Sequence, residues 1–308
     1  MRVKVSTVAF STNSFLVNEL KKSFSNVSVN ELGARIPENE LAAYFQEADA
    51  IIVGLEKITS DLLDKLPDLK IIAKYGVGLD NIDIEACNSR NIKIGWTGGV
   101  NRRSVAEMAL GFMLALCRNL YITSTQLKQG FWNKNGGSQL TGKTIGIIGA
   151  GYIGRELIEL LKPFNCKILV NDIIDISNLS VDNIFVADKK TIYLNSDIIS
   201  LHTPLNNETY NLINLDVLKL MRKNSFLINT ARGGIVNQAN LKYALKTGLI
   251  AGAAIDVFDE EPPKDMELLA LPNLICTPHI GGNANEAVIN MGLSAINHLI
   301  AFKAEMDS

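Results

Sequence analysis

The sequence has little of what marks several protein classes. Only 4 of its 308 residues are cysteine. Cys87, Cys117, Cys166 and Cys276 stand far apart in apolar surroundings without a C-x-x-C pair, which argues against a disulfide framework or a zinc site and predicts buried, reduced thiols. Proline (8) is sparse, glycine (23) is at its ordinary frequency, and apolar residues make up 47% of the chain, so collagen-like, low-complexity and disordered readings have no support. No charge of one sign dominates. A balance of 30 basic against 32 acidic side chains leaves a formal net charge of −2, so neither nucleic acid nor an anionic membrane is an expected partner. Long hydrophobic runs are also missing: Met108 to Cys117 has half the length a bilayer requires and is stopped by Arg118. The opening Met1-Arg2-Val3-Lys4-Val5 alternates charge with Val, unlike the apolar segment of a signal peptide, and predicts a cytoplasmic protein.

What is present is a regular alternation. Short β-branched runs and helix-length amphipathic stretches succeed each other throughout, the pattern of an α/β protein with parallel sheets, and the length predicts about two domains. The first strand series is Val3–Val8, Val27–Val29, Ala50–Val53, Lys70–Lys74 and Ile92–Gly95. After Gly98-Gly99, Ser104-Val105-Ala106-Glu107 reads as a capping box opening a helix from Val105 to Leu120, where a new domain begins. Gln129 to Gly142 lacks periodicity, carries Phe131-Trp132, and reads as a connecting arm whose aromatics cover a partner subunit. A second series follows at Thr144–Ile148, Lys167–Asn171, Asp197–Leu201, Phe226–Asn229, Gly252–Ile255 and Leu274–Cys276, six strands that suit a dinucleotide fold. Asn285 to Phe302 reads as one amphipathic helix.

The string Gly149-Ala150-Gly151-Tyr152-Ile153-Gly154 gains meaning from its context. It directly follows an apolar strand and opens a helix, so its glycines are placed to make a tight turn, admit a pyrophosphate and let helix meet strand. The next strand ends at Asp172, 18 residues beyond Gly154. A carboxylate there accepts hydrogen bonds from the adenosine ribose hydroxyls and repels a 2′-phosphate, and Ile173, Ile174 and Asp175 supply no Arg to hold one. NAD is the expected cofactor, in preference to NADP. The fingerprint alone also admits FAD.

Three histidines are available for proton transfer. His298 lies mid-helix and reads as solvated or core-edge. His202, with Thr203 and Pro204, stands at a strand's carboxyl end, where it lines a cofactor site without titrating. His279, between Pro278 and Ile280-Gly281-Gly282, also follows a strand and is the candidate acid–base. Arg232 projects from the tip of another strand as a candidate anion clamp, and Glu261, backed by Pro262-Pro263, is a rigid carboxylate able to orient an imidazole.

Together, Ile228-Asn229-Thr230-Ala231-Arg232-Gly233-Gly234, Ala254-Ile255-Asp256-Val257-Phe258, Glu261-Pro262, Pro278-His279-Ile280-Gly281-Gly282, Lys74-Tyr75-Gly76-Val77-Gly78-Leu79-Asp80-Asn81-Ile82-Asp83 and the glycine fingerprint resemble the D-isomer-specific 2-hydroxyacid dehydrogenases. The likeness spans nearly the whole chain. It implies a flavodoxin-like substrate domain (1–99 plus 285–308), a Rossmann NAD-binding domain (100–284), and a homodimer through Val105–Leu120 and the following arm. It further implies that Arg232 binds the substrate carboxylate and carbonyl oxygen, that His279 exchanges the hydroxyl proton, and that Glu261 holds and charges His279. Asp256, Thr230 and Ala231 align with residues bordering the nicotinamide, with Gly281 also in the cofactor set, and the backbone of Val77 and Gly78 aligns with donors to the substrate carboxylate. The physics agrees: removing hydride from a secondary alcohol also requires a proton acceptor, and a guanidinium forks two bonds to a planar carboxylate better than Lys does. Formate dehydrogenases of the superfamily carry Gln where this chain has Glu261, which disfavours that subgroup.

Asn101-Arg102-Arg103-Ser104-Val105-Ala106-Glu107 resembles a stretch of 3-phosphoglycerate dehydrogenases. Two arginines at a helix N-terminus are poorly placed for its dipole, and a substrate phosphate or surface carboxylates would relieve them. Against a phosphate pocket, Ile52-Val53-Gly54-Leu55-Glu56 lacks the Arg those enzymes often place there. The expected activity is oxidation of 3-phosphoglycerate with NAD, with hydroxypyruvate or glyoxylate reduction second. An NAD(H)-sensing binding protein is the alternative of another class.

Overall fold

The computed structural model describes residues 1–307, and these form two compact units: Met1–Asn101 with the segment from Gly282, and Arg102–Gly281.

The first unit is built on five parallel strands, β1 (Arg2–Val5), β2 (Asn26–Val29), β3 (Ala50–Val53), β4 (Ile71–Lys74) and β5 (Lys93–Gly95), in the order β2-β1-β3-β4-β5. This is the flavodoxin-like order. Every residue of β3 and β4 is buried, as expected for central strands covered on both faces. One face packs on Leu41, Phe45 and Leu63, the other on Phe10, Leu16 and the helix Asn285–Met306. That helix, at 22 residues, is long and apolar enough to cross a bilayer, yet its Ala287, Met291, Ala295 and Leu299 form an i, i+4 stripe buried within the unit. Gly292 permits the contact, because a Cβ there would stand 2.4 Å from Leu16 Cδ1.

The second unit holds seven parallel strands, β6 (Thr144–Ile148), β7 (Lys167–Asn171), β8 (Ile184–Val186), β9 (Ile198–Leu201), β10 (Phe226–Asn229), β11 (Gly252–Ile255) and β12 (Leu274–Cys276). Their order, β12-β11-β10-β9-β6-β7-β8, is the Rossmann arrangement with one strand added beyond the sixth. The strand order reverses between β6 and β9, which creates the crevice where such sheets bind ligands.

Two local expectations are corrected. One of these seven strands, β8, is absent from the sequence-based series because it is a three-residue edge strand with Phe185 and Val186 exposed, too short to display a period. The capping box does not form: the helix runs Arg102–Cys117, so Ser104 lies within it and donates its hydroxyl to Gly281 O (2.6 Å), while Glu107 accepts from Arg103. The bond available across the chain outcompeted the local cap. After a second helix, Leu120–Lys128, the predicted arm is exposed and without regular structure over residues 131–139.

Candidate active site

Three neighbouring strands deliver the charged residues. Asn229, Ile255 and Cys276 lie in one register row across β10, β11 and β12, and Arg232, Glu261 and His279 follow them in the loops beyond. Asn229 ties the first loop, accepting from Ala231 N (3.0 Å) and donating to Arg232 O (2.8 Å). Gly233 sits so close to the second loop that a Cβ would meet Phe258 C at 2.1 Å. Phe258 N in turn donates to Glu261 Oε1 (3.2 Å), and both Glu261 oxygens reach His279 Nδ1 at 3.0 and 2.8 Å. The structure therefore joins Glu261 directly to His279 and packs the Arg232 loop on the backbone that Glu261 holds. Arg232 Nη1 also donates to Ala231 O (2.7 Å).

His279 has φ +53°, an unfavourable value for an L residue. Asp256 holds it there. The buried carboxylate accepts from Thr277 Oγ1 (2.6 Å), Ile280 N (2.9 Å) and Gly281 N (2.7 Å), and the Asp256 carbonyl accepts from His279 N (2.8 Å). With Nδ1 facing Glu261, the imidazole leaves Nε2 for a second partner. Sequence reasoning singled out Asp256 but missed Thr277, gave Asn229 no role within its motif and read Ser104 as a cap, although all three shape this turn and its neighbours. The only local signal was small polar residues directly beside strand ends.

At the β6–β9 crevice, Gly149 has φ +100° and lies where a Cβ would strike His202 O at 2.5 Å, whereas a Cβ on Gly151 would meet nothing within 4 Å. Gly154 touches Gly149 O so closely that a Cβ would stand 2.0 Å away, bringing the helix Tyr152–Leu161 onto the strand. Tyr152 is exposed and Ile153 half-buried. Asp172 accepts from Ala150 N (2.6 Å), Ile173 N (2.7 Å) and Ile174 N (3.3 Å), clamping the fingerprint turn. Thr203 Oγ1 and Thr230 Oγ1, beyond β9 and β10, are buried with no hydrogen-bond partner among the described residues, as is His202 Nδ1. Pro204 is exposed, and Ala231 is buried. Although His202 as a residue keeps some exposure, its Nδ1 is buried and its Nε2 lies 2.9 Å from Ser200 Oγ, and burial pushes the ring down to about 4. An open glycine turn flanked by orphaned polar groups fits a dinucleotide.

In the first unit, Val77 and Gly78 lie beyond β4 and are partly exposed. Lys74 donates to Gly54 O and to Asn81 Oδ1 (2.6 Å), and Glu56 Oε2 accepts from Gly54 N (2.6 Å). Arg102 and Arg103 lie in the first turn of their helix. Arg102 Nε reaches Glu156 Oε2 (3.2 Å), while Arg103 bonds Glu156 Oε1 (3.0 Å) and Glu107 Oε1 (2.7 Å). These guanidiniums, Arg103 foremost, hold the Glu156 carboxyl below its ordinary range.

Comparison with known proteins agrees with this geometry. Residues 110–281 match the model of the D-isomer specific 2-hydroxyacid dehydrogenase, NAD binding domain. Among curated proteins, the chain is 40% identical over 279 residues to a glyoxylate reductase of Thermofilum pendens, covering 87% of this chain and 82% of the relative. It is 38% identical over 271 residues to a D-3-phosphoglycerate dehydrogenase of Methanocaldococcus jannaschii, covering 86% of this chain but spanning only 52% of that relative's length. A crystal structure of D-lactate dehydrogenase from Aquifex aeolicus, complexed with NAD and lactic acid, superposes with a TM-score of 0.84 at 26% identity, covering 100% of this chain and 97% of the other.

Proposed function

Because the chain belongs to the D-isomer-specific 2-hydroxyacid dehydrogenases and is an NAD-dependent oxidoreductase of the CH–OH group, we propose that it interconverts a short D-2-hydroxy acid and its 2-oxo acid, with Arg232, Glu261 and His279 as the reacting set. The observation that carries this reading is the contact of both Glu261 oxygens with His279 Nδ1, beside the Arg232 loop. Gly149, Gly151, Gly154, Asp172, Thr203 and Thr230 hold NAD, with Tyr152, Ile153, His202, Pro204, Ala231 and Gly281 bordering it. When bound, NAD supplies or accepts the hydride.

The chain's own residues do the rest. Arg232 forks to the planar carboxylate and stabilises negative charge growing on the carbonyl oxygen. His279 Nε2 donates a proton to that oxygen in reduction and takes it back in oxidation. Glu261 fixes the tautomer and the orientation of the ring by accepting from Nδ1. Asp256 keeps the ring in its strained backbone conformation. His202, held neutral, lines the crevice without exchanging protons. In the first unit the backbone N–H groups of Gly76, Val77 and Gly78 are proposed as donors to a substrate carboxylate.

Glyoxylate and hydroxypyruvate suit the site better than 3-phosphoglycerate. Arg102 and Arg103 already have counter-ions in Glu156 and Glu107, so the helix start calls for no phosphate, and the loop after β3 carries Gly54 with the buried Glu56 in place of a guanidinium. Steady-state rates test this: NADH with glyoxylate and hydroxypyruvate should give the larger kcat/KM, and NAD with 3-phosphoglycerate the smaller. The reverse order would restore the phosphate reading, and an enzyme inert toward every acid would end both.

The same reading includes a homodimer. Leu120, Tyr121, Leu127, Phe131 and Trp132 are all exposed on the second unit. Of these, Tyr121 lines a groove with Leu116, Ile122, Phe226, Pro272 and Ile275. An apolar surface of this extent fits burial against a second copy. Sedimentation as a monomer at assay concentration would remove this part.

A further inference from the structure

The loop after β4 is tethered from one side. The Val77 carbonyl accepts a 2.7 Å hydrogen bond from the indole Nε1–H of Trp96. On the other side, the backbone N–H groups of Gly76, Val77 and Gly78 donate no hydrogen bond among the described residues. The Val77–Gly78 peptide is trans, and in a trans peptide the carbonyl and the following N–H point in opposite directions. Drawing the Val77 carbonyl toward Trp96 therefore turns the Gly78 N–H away from it, to the open side of the loop. Gly76, at φ +129°, lends the backbone freedom on one flank and Gly78 on the other, so a peptide between them has little else to fix its plane.

Trp96 is in turn held by its neighbours. Thr97 Oγ1 lies 2.8 Å from His298 Nε2, and Gly95 lets His298 approach so closely that a Cβ there would stand 2.5 Å from His298 Cβ. The tryptophan is itself 38% exposed, so apolar burial does not dictate an indole at this position. A smaller aromatic ring would cover the same surface but would leave the Val77 carbonyl without its donor.

We propose that Trp96 is a positioning residue for substrate: its indole N–H sets the plane of the Val77–Gly78 peptide so that the loop presents an ordered backbone donor to the carboxylate of a 2-oxo acid. The inference rests on the reading, given above, that this loop receives that carboxylate.

Trp96→Phe in the full chain tests it. KM for the preferred 2-oxo acid and the inhibition constant of oxamate, an unreactive analogue, should both rise roughly three- to tenfold, the loss of one neutral hydrogen bond. At the same time kcat and KM for NADH should stay unchanged, as for an interaction made equally in ground and transition states. Unchanged oxamate inhibition in a folded variant overturns the proposal. A measurement on the unsubstituted protein guards against a variant that fails to fold. The indole N–H resonance that persists in Trp132→Phe belongs to Trp96, and it should exchange slowly with water, with the Gly78 amide gaining protection when oxamate and NAD are added. A rapidly exchanging Trp96 indole likewise overturns the proposal. Absence of turnover with every 2-oxo acid, while the indole stays protected and oxamate protects Gly78, would instead remove the assignment of the reaction.

Discussion

Open α/β sheets bind ligands at the carboxyl ends of their strands, and the two parallel sheets of this chain finish those ends differently. In the second unit, the loops beyond β10, β11 and β12 carry charged side chains, each fixed by a further partner: His279 by Glu261 and Asp256, and the Arg232 loop by Asn229. In the first unit, the corresponding edge turns its charges inward, with Lys74 bonded to Gly54 and Asn81 and Glu56 bonded to Gly54, and leaves backbone N–H groups available. On the reading proposed above, the second unit supplies the charged groups, for proton transfer and for the Arg232 fork, and the first unit supplies only backbone dipoles. Proton transfer demands a titratable group at a fixed place, whereas a carboxylate can be met by dipoles that carry no charge of their own as well as by a guanidinium.

The strongest way to break that division is to remove the charged set. His279→Ala and Arg232→Ala should each lower kcat/KM for the 2-oxo acid by about 10³-fold or more, while the dissociation constant of NADH, read by fluorescence titration, moves little. Arg232→Lys should recover only a minor part, since an ammonium lacks the fork. Cofactor affinity lost together with His279 would contradict the separation of roles. Next in size is Glu261→Gln. The amide can still accept from Nδ1 but holds it through one neutral oxygen in place of a carboxylate, so kcat should fall by about 10²-fold with KM nearly unchanged.

His202 sharpens the comparison within the second unit, because it is an imidazole kept neutral where His279 is kept beside a carboxylate. Burial pushes its ring down to about 4, below the value of about 6.5 expected in the unfolded chain. The unfolded chain therefore binds the extra proton first. The stability this neutral ring contributes is complete above about pH 6.5 and is lost as pH falls toward 4, by about 1–3 kcal/mol. Urea unfolding at pH 7.5 and 5.0 should show a larger loss on acidification in the unsubstituted protein than in His202→Gln. Equal losses would mean that the ring is not held neutral.

Much of this was legible in the sequence because local patterns coincide with spatial ones. A glycine fingerprint sits between a strand and a helix by construction, and a residue two or three positions past a buried strand has to lie at the sheet's edge. Ser104 and Glu107 misled for the opposite reason. Their spacing satisfies a local cap, but the bond from Ser104 to Gly281 joins residues 177 positions apart, which no local pattern reveals. Trp96 is similar: nothing about an isolated tryptophan after a glycine announces that its N–H meets the Val77 carbonyl. Asp256 was placed correctly at a strand end, yet its hold on the 277–281 turn emerges only once β11 and β12 are seen side by side.

The smallest expected effect concerns Arg102 and Arg103, the most suggestive charges in the sequence. Both guanidiniums are about half exposed, and their ion pairs with Glu156 and Glu107 lie at a surface where such contacts contribute roughly 0–1 kcal/mol each. Arg102→Ala and Arg103→Ala should therefore change kcat/KM for glyoxylate or hydroxypyruvate by less than about threefold and leave the thermal midpoint within a few degrees. A phosphorylated substrate inverts the expectation. If either variant lost turnover of 3-phosphoglycerate selectively, one of these arginines would be leaving its carboxylate partner to meet the phosphate, and the second unit would then bind both ends of the substrate.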